Sequence, residues 1–261
     1  MQQSSSPTSW DPRTYLAFSE ARGRPAADLI GRVTQTAPAQ IFDLGCGAGN
    51  ITRLLMDRWP DARVTGIDSS STMLAQTRAN GKDIRWIQQD IGAWTPDETA
   101  DLVFSNAALH WLDDHEALFA RLVGYLSPGG ELAVQMPRNA HAPSHRAIAE
   151  IAGDPRWKDR LLALLREAPV HAPGVYIDIL TALTSSLDVW ETTYWHELDG
   201  NNPVVEWTKG TALRPILAVL AENDRQAFLN AYAERIAEAY PPRPNGKTLF
   251  PFRRLFIIAK R

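Results

Sequence analysis

The sequence predicts an α/β fold, a doubly wound and mostly parallel sheet with a helical cap insertion. Three observations carry this. Through the first half, apolar runs alternate with amphipathic stretches, the order expected when parallel strands are joined by crossover helices. The run ending in Asp43-Leu44 passes directly into a glycine turn and then a helical stretch. Beyond Met136-Pro137 the rhythm gives way to short helical pieces divided by prolines at 143, 155, 169 and 173.

Taken in order, strands are predicted at 41–44, 63–67, 84–87, 101–104 and 131–135, with helices at 50–59, 71–80 and 114–125. Ser127-Pro128-Gly129-Gly130 cannot continue a helix, so it reads as a turn into the fifth strand. Residues 140–182 read as mostly helical. A β-rich stretch follows at 187–198, then helices at 203–220 and 224–240. A last strand at 248–259 returns to the sheet. Three regions result: an N-terminal helical segment, 1–30, over the active site; an α/β core from 31–138 and 241–261; and a mostly helical cap at 139–240. Gln2 to Ser6 reads as a polar tail, and no repeat or low-complexity stretch is found.

Hydrophobic residues make up 44% and charged residues 22% of 261, enough for a substantial core. With 27 basic and 30 acidic side chains the net charge is −3, which offers no general attraction to nucleic acid. No apolar run approaches the roughly 20 residues that cross a bilayer. The opening residues lack the basic-then-apolar order of a signal peptide, so a cytoplasmic location is expected. Cys46 is the single cysteine, which excludes an internal disulfide, and no base stands beside it in sequence to make it a nucleophile. His141 and His145 have metal-like spacing, but Pro143 breaks a shared helical face and no acid or cysteine completes a set. No metal is expected.

The strongest signal is Ile41-Phe42-Asp43-Leu44-Gly45-Cys46-Gly47-Ala48-Gly49-Asn50. Glycines let the backbone take positive φ and come close to a ligand. A dinucleotide fingerprint would need glycines at 45, 47 and 50; here the third falls at Gly49. Asp43 discriminates further, because a carboxylate at this loop repels pyrophosphate but suits S-adenosylmethionine, which carries an ammonium and a sulfonium. In Gly66-Ile67-Asp68-Ser69-Ser70, Asp68 ends the second strand, where a carboxylate can accept from both ribose hydroxyls. Alone it could equally cap the next helix, as could Ser69 to Ser71. In Gln88-Gln89-Asp90-Ile91, Asp90 can accept from an adenine amino group while Ile91 packs on the ring. Ser69, Met73 and Asn106 complete the expected donor contacts, although a methionine at helical spacing also suits a core.

These runs, followed by the Pro128-Gly129-Gly130 turn, resemble class I S-adenosylmethionine-dependent methyltransferases over residues 35–137. The resemblance implies a seven-stranded sheet whose final antiparallel hairpin uses the C-terminal strand, with S-adenosyl-L-methionine as cofactor.

For the acceptor, the loop after the fourth strand reads Ser105-Asn106-Ala107-Ala108-Leu109-His110-Trp111-Leu112 and is expected to border both ligands. His110 is either a general base or, with Trp111, pocket wall. Runs outside the core extend the likeness: 15–25, Gln135-Met136-Pro137, Thr193-Tyr194-Trp195-His196, 207–215 and Phe252-Arg253-Arg254-Leu255-Phe256. With the core they are similar, through nearly the whole chain, to the branch of that family acting on trans-aconitate. What this implies is methyl-ester formation on a small tricarboxylate. A carboxylate, with a pKa near 4, arrives ionised and nucleophilic, so no general base is required. Its remaining carboxylates need cations, arginine above all. Arg22, Arg24 and Arg214 are the leading clamps, with Tyr15, Trp111, Gln135, Tyr194, Trp195 and His196 as neutral partners. Arg138, Lys209, Arg253 and Arg254 are further candidates. Three other readings stay open: a malonyl-acyl-carrier-protein carboxyl methyltransferase, which would need a basic docking surface; a phenol or enol methyltransferase, which would need a base; and a non-enzymatic S-adenosylmethionine sensor.

Overall fold

The computed structural model describes residues 19–77, 84–166 and 168–261, with side chains from Gly23 onward. Tyr15, most of the 1–30 segment and the end of the predicted 71–80 helix lie outside the described residues. Seven strands form one sheet in the order β3-β2-β1-β4-β5-β7-β6. They are β1 (Gln40–Leu44), β2 (Arg63–Asp68), β3 (Arg85–Gln88), β4 (Ala100–Asn106), β5 (Leu126–Pro137), β6 (Ser186–Leu198) and β7 (Thr248–Lys260). The first five pair in parallel, and β7 runs antiparallel to β5. This is the sheet that the resemblance implies. Its closing pair is interrupted by a helical insertion between β6 and β7.

The connecting helices are α1 (Ser19–Arg32), α2 (Asn50–Arg58), α3 (Ser71–Thr77), α4 (His115–Gly124), α5 (Pro143–Ala152), α6 (Lys158–Leu161), α7 (Pro173–Thr181), α8 (Pro203–Lys209), α9 (Arg214–Val219) and α10 (Glu222–Ala239). None is long and apolar enough to cross a membrane. The turn expected at 127–130 belongs to an irregular start of β5 instead. Gly129 takes φ +78°, and the β4–β5 register shifts between Ala100 and Leu102. The local chemistry is that of a turn, but the neighbouring strand offers hydrogen bonds that carry the ladder through it.

The chain divides into two compact units. The core unit holds Ser19–Pro137, Val170–Thr192 and Arg254–Arg261; the other holds Arg138–Pro169 and Thr193–Arg253. Residues 170–192, assigned by sequence to the cap, group with the core because Val170, Tyr176 and Leu180 are buried among Phe119, Leu122 and Leu255. Helix α1 also belongs there, with Ala26 and Leu29 fully buried. Just past it, Thr34 donates through its N–H (2.9 Å) and its hydroxyl to the buried carboxylate of Glu131 on β5. Trp190 of β6 stacks on Phe256 of β7 at 4.9 Å, and Arg32 lies over the Trp190 ring at 5.1 Å. In the second unit α5 and α10 are tied through Ser144: its N–H donates to Tyr240 (3.2 Å), and its carbonyl accepts from the Tyr232 hydroxyl (3.2 Å).

Strand order reverses between β1 and β4, so the connections leaving their carboxyl ends diverge. In an open α/β sheet such a switch point opens the ligand crevice.

Candidate functional site

The loop after β1 is built against β2. Gly45, Gly47 and Gly49 all have positive φ, +74°, +56° and +76°. The N–H groups of Gly45 and Cys46 both donate to the Ile67 carbonyl, at 2.8 and 3.1 Å. Gly47 N–H donates to Asp68 Oδ2 at 2.8 Å, and Gly49 N–H to the Cys46 carbonyl at 3.0 Å. These amides are spent inside the protein, which removes them from the phosphate cradle of a dinucleotide loop. A Cβ on Gly45 would sit 2.1 Å from the Ala108 Cβ, and one on Gly49 would meet the Trp86 ring at 2.5 Å.

Around this loop the acids gather. Asp43 is only 2% exposed, and its carboxylate accepts from the Thr52 hydroxyl at 2.6 Å. Burial pushes its pKa up to about 7, with Thr52 opposing and the like charge of Asp68 adding. Burial and the same two carboxylates push the Cys46 thiol well above its ordinary range, so it is no nucleophile. Asp68 also accepts from Ser70 N–H at 2.8 Å. The cap of α3 comes from Ser70, whose hydroxyl accepts from Met73 N–H at 3.3 Å, while Ser69 is exposed. Met73 is buried and faces Gly47. Asp90 holds a tight turn by accepting from Gly92 N–H at 2.8 Å, and Ile91 packs against the core. Arg121 on α4, which nothing local in the sequence marks, fixes this turn by donating to the Ile91 (3.2 Å) and Gly92 carbonyls.

Strand β4 ends at Asn106, followed by Ala107 at φ +54°, a conformation that L-residues rarely take. The Asn106 Oδ1 is buried with no hydrogen-bond partner. Donor groups of a ligand would satisfy it, and that fits a cationic, hydroxyl-bearing molecule lying across the three carboxylates. The single turn Leu109–Trp111 carries His110, whose ring lies 4.8 Å from that of the half-exposed Trp111. The turn is held from behind: His115 Nε2 bonds the Leu109 carbonyl (3.2 Å), and its Nδ1 bonds the Tyr176 hydroxyl (2.6 Å). A carbonyl only accepts, so Nε2 carries the proton and Nδ1 accepts from Tyr176.

At the neighbouring strand tips, Gln135 is fully buried and its Oε1 accepts from Arg254 Nη1 at 3.2 Å. Arg254 is itself only 4% exposed. The sequence marked it as one candidate among several, without sign of its burial.

Tyr15 is outside the described residues. Arg22 lies on α1 with its side chain outside them. Arg24 is exposed, 4.0 Å from Asp28 one turn on. Tyr194, Trp195, His196 and Arg214 belong to the second unit. There Tyr194 and His196 share a strand face, their rings stacked at 6.4 Å, whereas Trp195 points to the opposite face and is 63% exposed. Alternation along β6 corrects the expectation that all three line one site. Partial burial pulls the Arg214 guanidinium below its ordinary pKa. Among the described residues no cluster could hold a metal ion.

Residues 41–130 match a family model described as a methyltransferase domain. The chain is similar to the trans-aconitate 2-methyltransferase of Streptomyces avermitilis, 47% identical over 97% of each chain. It is also similar to that of Escherichia coli, 44% identical over 97% of this chain and 98% of the other. Among solved structures it shares its fold with the YcgJ protein of Bacillus subtilis (TM-score 0.62, 12% identity, 92% of this chain and 98% of that one). A second is the Haemonchus contortus phosphoethanolamine N-methyltransferase 2 complex (TM-score 0.56, 15% identity, 91% and 52%).

Two outcomes follow from the loop. Gly45→Ala forces a side chain into Ala108 at positive φ and is expected to destabilise the protein by roughly 2–4 kcal/mol, from strain plus overpacking. Ala108→Gly in the same chain relieves the overlap but not the φ strain, so denaturant melts are expected to show partial rescue; no loss in the single variant would refute the packing. Asp43 gives a pH signature. A carboxyl raised in the folded state contributes stability that is full below its ordinary value of about 4 and is lost as pH rises through about 7. The stability gap between Asp43→Asn and the parent, measured without ligand, is expected to shift in favour of Asn across that window and to stay flat above about pH 8. A gap independent of pH would contradict it.

Proposed function

The chain belongs to the trans-aconitate 2-methyltransferase family, and from that premise we propose that it converts one carboxylate of trans-aconitate to its methyl ester. The observation that carries the reading is the loop after β1, whose amides are committed to β2 while Asp43 precedes it and Asp68 holds it, with Asp90 in the turn after β3. An anion-binding loop keeps its amides open; a loop flanked by acids suits a cation. When bound, S-adenosylmethionine supplies a methyl on a sulfonium sulfur, which leaves as a neutral thioether once a carboxylate oxygen takes the methyl.

In this reading the residues hold and orient. Asp68 accepts from the ribose hydroxyls while its backbone bonds keep it fixed. Asp90 takes the adenine amino group, with Ile91 against the ring. Asp43, ionised once a cation lies near, balances the ammonium. Asn106 Oδ1 accepts from the same end of the ligand. Gly45, Gly47 and Gly49 leave the space. The acceptor arrives as a carboxylate, so no residue removes a proton, and rate comes from placing an oxygen roughly 3 Å from the methyl in line with its bond to sulfur. His110 and Trp111 then act as wall. Arg22, Arg24 and Arg214 are proposed for the acceptor's carboxylates, with Tyr15, Tyr194 and His196 as its uncharged contacts. The reading is of a small-molecule enzyme of the cytoplasm; a net charge of −3 gives it no general pull on nucleic acid.

Incubation with methyl-labelled donor and a panel of di- and tricarboxylates is expected to give a base-labile methyl ester with trans-aconitate as preferred acceptor. Label on malonyl carrier protein or a phenol instead would overturn the acceptor. His110→Ala is expected to cost less than tenfold in kcat and to leave the pH profile intact. A base would contribute about 10²–10⁴-fold, so a loss of that size with a missing limb near pH 6–7 would restore the phenol or enol reading. Arg214→Ala is expected to lower kcat/KM for the tricarboxylate by roughly 2–5 kcal/mol of transition-state binding and to leave donor affinity unchanged. Parent kinetics in that variant would remove Arg214 from the site.

A further inference from the structure

Gln135 is fully buried, yet its Nε2 has no hydrogen-bond partner. Buried N–H groups are rarely left so, because the desolvation of the donor goes uncompensated. The cause lies one strand away. Arg254 donates to Gln135 Oε1, and a guanidinium only donates, so the amide must turn its oxygen to Arg254 and its nitrogen elsewhere. The amide oxygen is thereby occupied. What the Gln135 amide can still offer a ligand is its N–H groups, beside a permanent positive charge. That donor set suits an anion.

The register supplies the position. Gln135 pairs with Asn106 across β4–β5 and with Phe256 across β5–β7, and Arg254 pairs with Pro137. Paired residues and alternate residues share a face, so Asn106, Gln135 and Arg254 stand in a row on one side of the sheet. Adjacent strands lie about 4.8 Å apart, so the three are neighbours at the same end of the sheet. The row continues from the tips of β1 and β2, where the donor loop lies, to β7. Asn106 keeps a buried acceptor for the cationic donor; Gln135, next to it, keeps a buried donor for something negative.

We propose that Arg254, with Gln135 turned by it, anchors a carboxylate of the acceptor that is not methylated, and so selects acids that carry this carboxylate over those that lack it. This rests on the preceding reading of trans-aconitate as acceptor. Arg254 contacts the anion directly; Gln135 both contacts it and positions the guanidinium.

The test uses the full chain saturated with S-adenosylhomocysteine. Calorimetry gives the affinities of trans-aconitate and of glutaconate, itaconate and mesaconate, each trans-aconitate without one carboxylate; labelled donor gives kcat/KM. In the parent, the analogue lacking the anchored carboxylate is expected to bind about a hundredfold more weakly than trans-aconitate. Gln135→Glu keeps the shape and places a carboxylate on Arg254, which neutralises the anchor without leaving a buried charge unpaired. It is expected to weaken trans-aconitate about a hundredfold while that one analogue binds as before, so the preference disappears. Arg254→Lys, a point charge in place of a planar fork, is expected to lose part of the same preference. Tm and S-adenosylhomocysteine affinity of Gln135→Glu are expected to match the parent, which a merely structural role would not allow. The anchor is overturned if both variants bind trans-aconitate as the parent does, or if all four acids weaken equally. A parent that neither binds nor methylates any tricarboxylate overturns the acceptor itself.

Discussion

The carbonyl of Ile67 accepts two N–H groups from the preceding glycine loop, and the carboxylate of Asp68 accepts a third. Much of the site depends on this join. It fixes the loop's path at the parallel junction of β1 and β2, and it requires positive φ at Gly45, Gly47 and Gly49. It brings Gly45 so close to Ala108 that no side chain fits between them, which sets the start of the β4 loop as well. Because Asp68 is spent partly on this backbone, its carboxylate is held rigid before any ligand arrives, which lowers the ordering cost of binding.

Charge is distributed along the strand tips with the same economy. At the β1–β3 end lie Asp43, Asp68 and Asp90; at the β5–β7 end lies Arg254, bonded to Gln135. A sulfonium donor and a carboxylate acceptor carry opposite charges, so such a gradient favours each at its own end and disfavours the exchange. Burying these groups is expensive without partners. Thr52 for Asp43 and Gln135 for Arg254 reduce the cost with neutral dipoles. The raised pKa of Asp43 is the visible remainder of that cost.

The loop that carries His110 shows support of another kind. His115 is buried, and its two ring nitrogens join the Leu109 carbonyl to the Tyr176 hydroxyl, which in turn accepts from His171 N–H at 3.2 Å. Three chain segments of the core unit thus fix one turn, with a tautomer dictated by hydrogen-bond accounting. Arg121 does the same for the Asp90 turn from the far end of the same helix. Side chains that never meet the ligand hold those expected to do so.

The sequence by itself determined the parallel order of the first five strands, the glycine loop and the acids at the ends of β1, β2 and the turn after β3. These are local matters: apolar periodicity, positive φ and a carboxylate at a fixed offset from a strand end are all written within a few residues. It also determined the likeness that gave the family and the antiparallel last strand. Only the tertiary structure decided what depends on residues far apart in the chain. The turn chemistry of 127–130 yielded to the ladder of β4, and residues 170–192 joined the core because Tyr176 and Leu180 found apolar partners on α4 and β7. Ser70 rather than Ser69 caps its helix, and Trp195 turns away from Tyr194 and His196 because a strand alternates. Arg254 and Gln135 stand 119 residues apart, and nothing near either one announces the other. An arginine's burial is a property of what folds over it, which pattern along the chain does not encode.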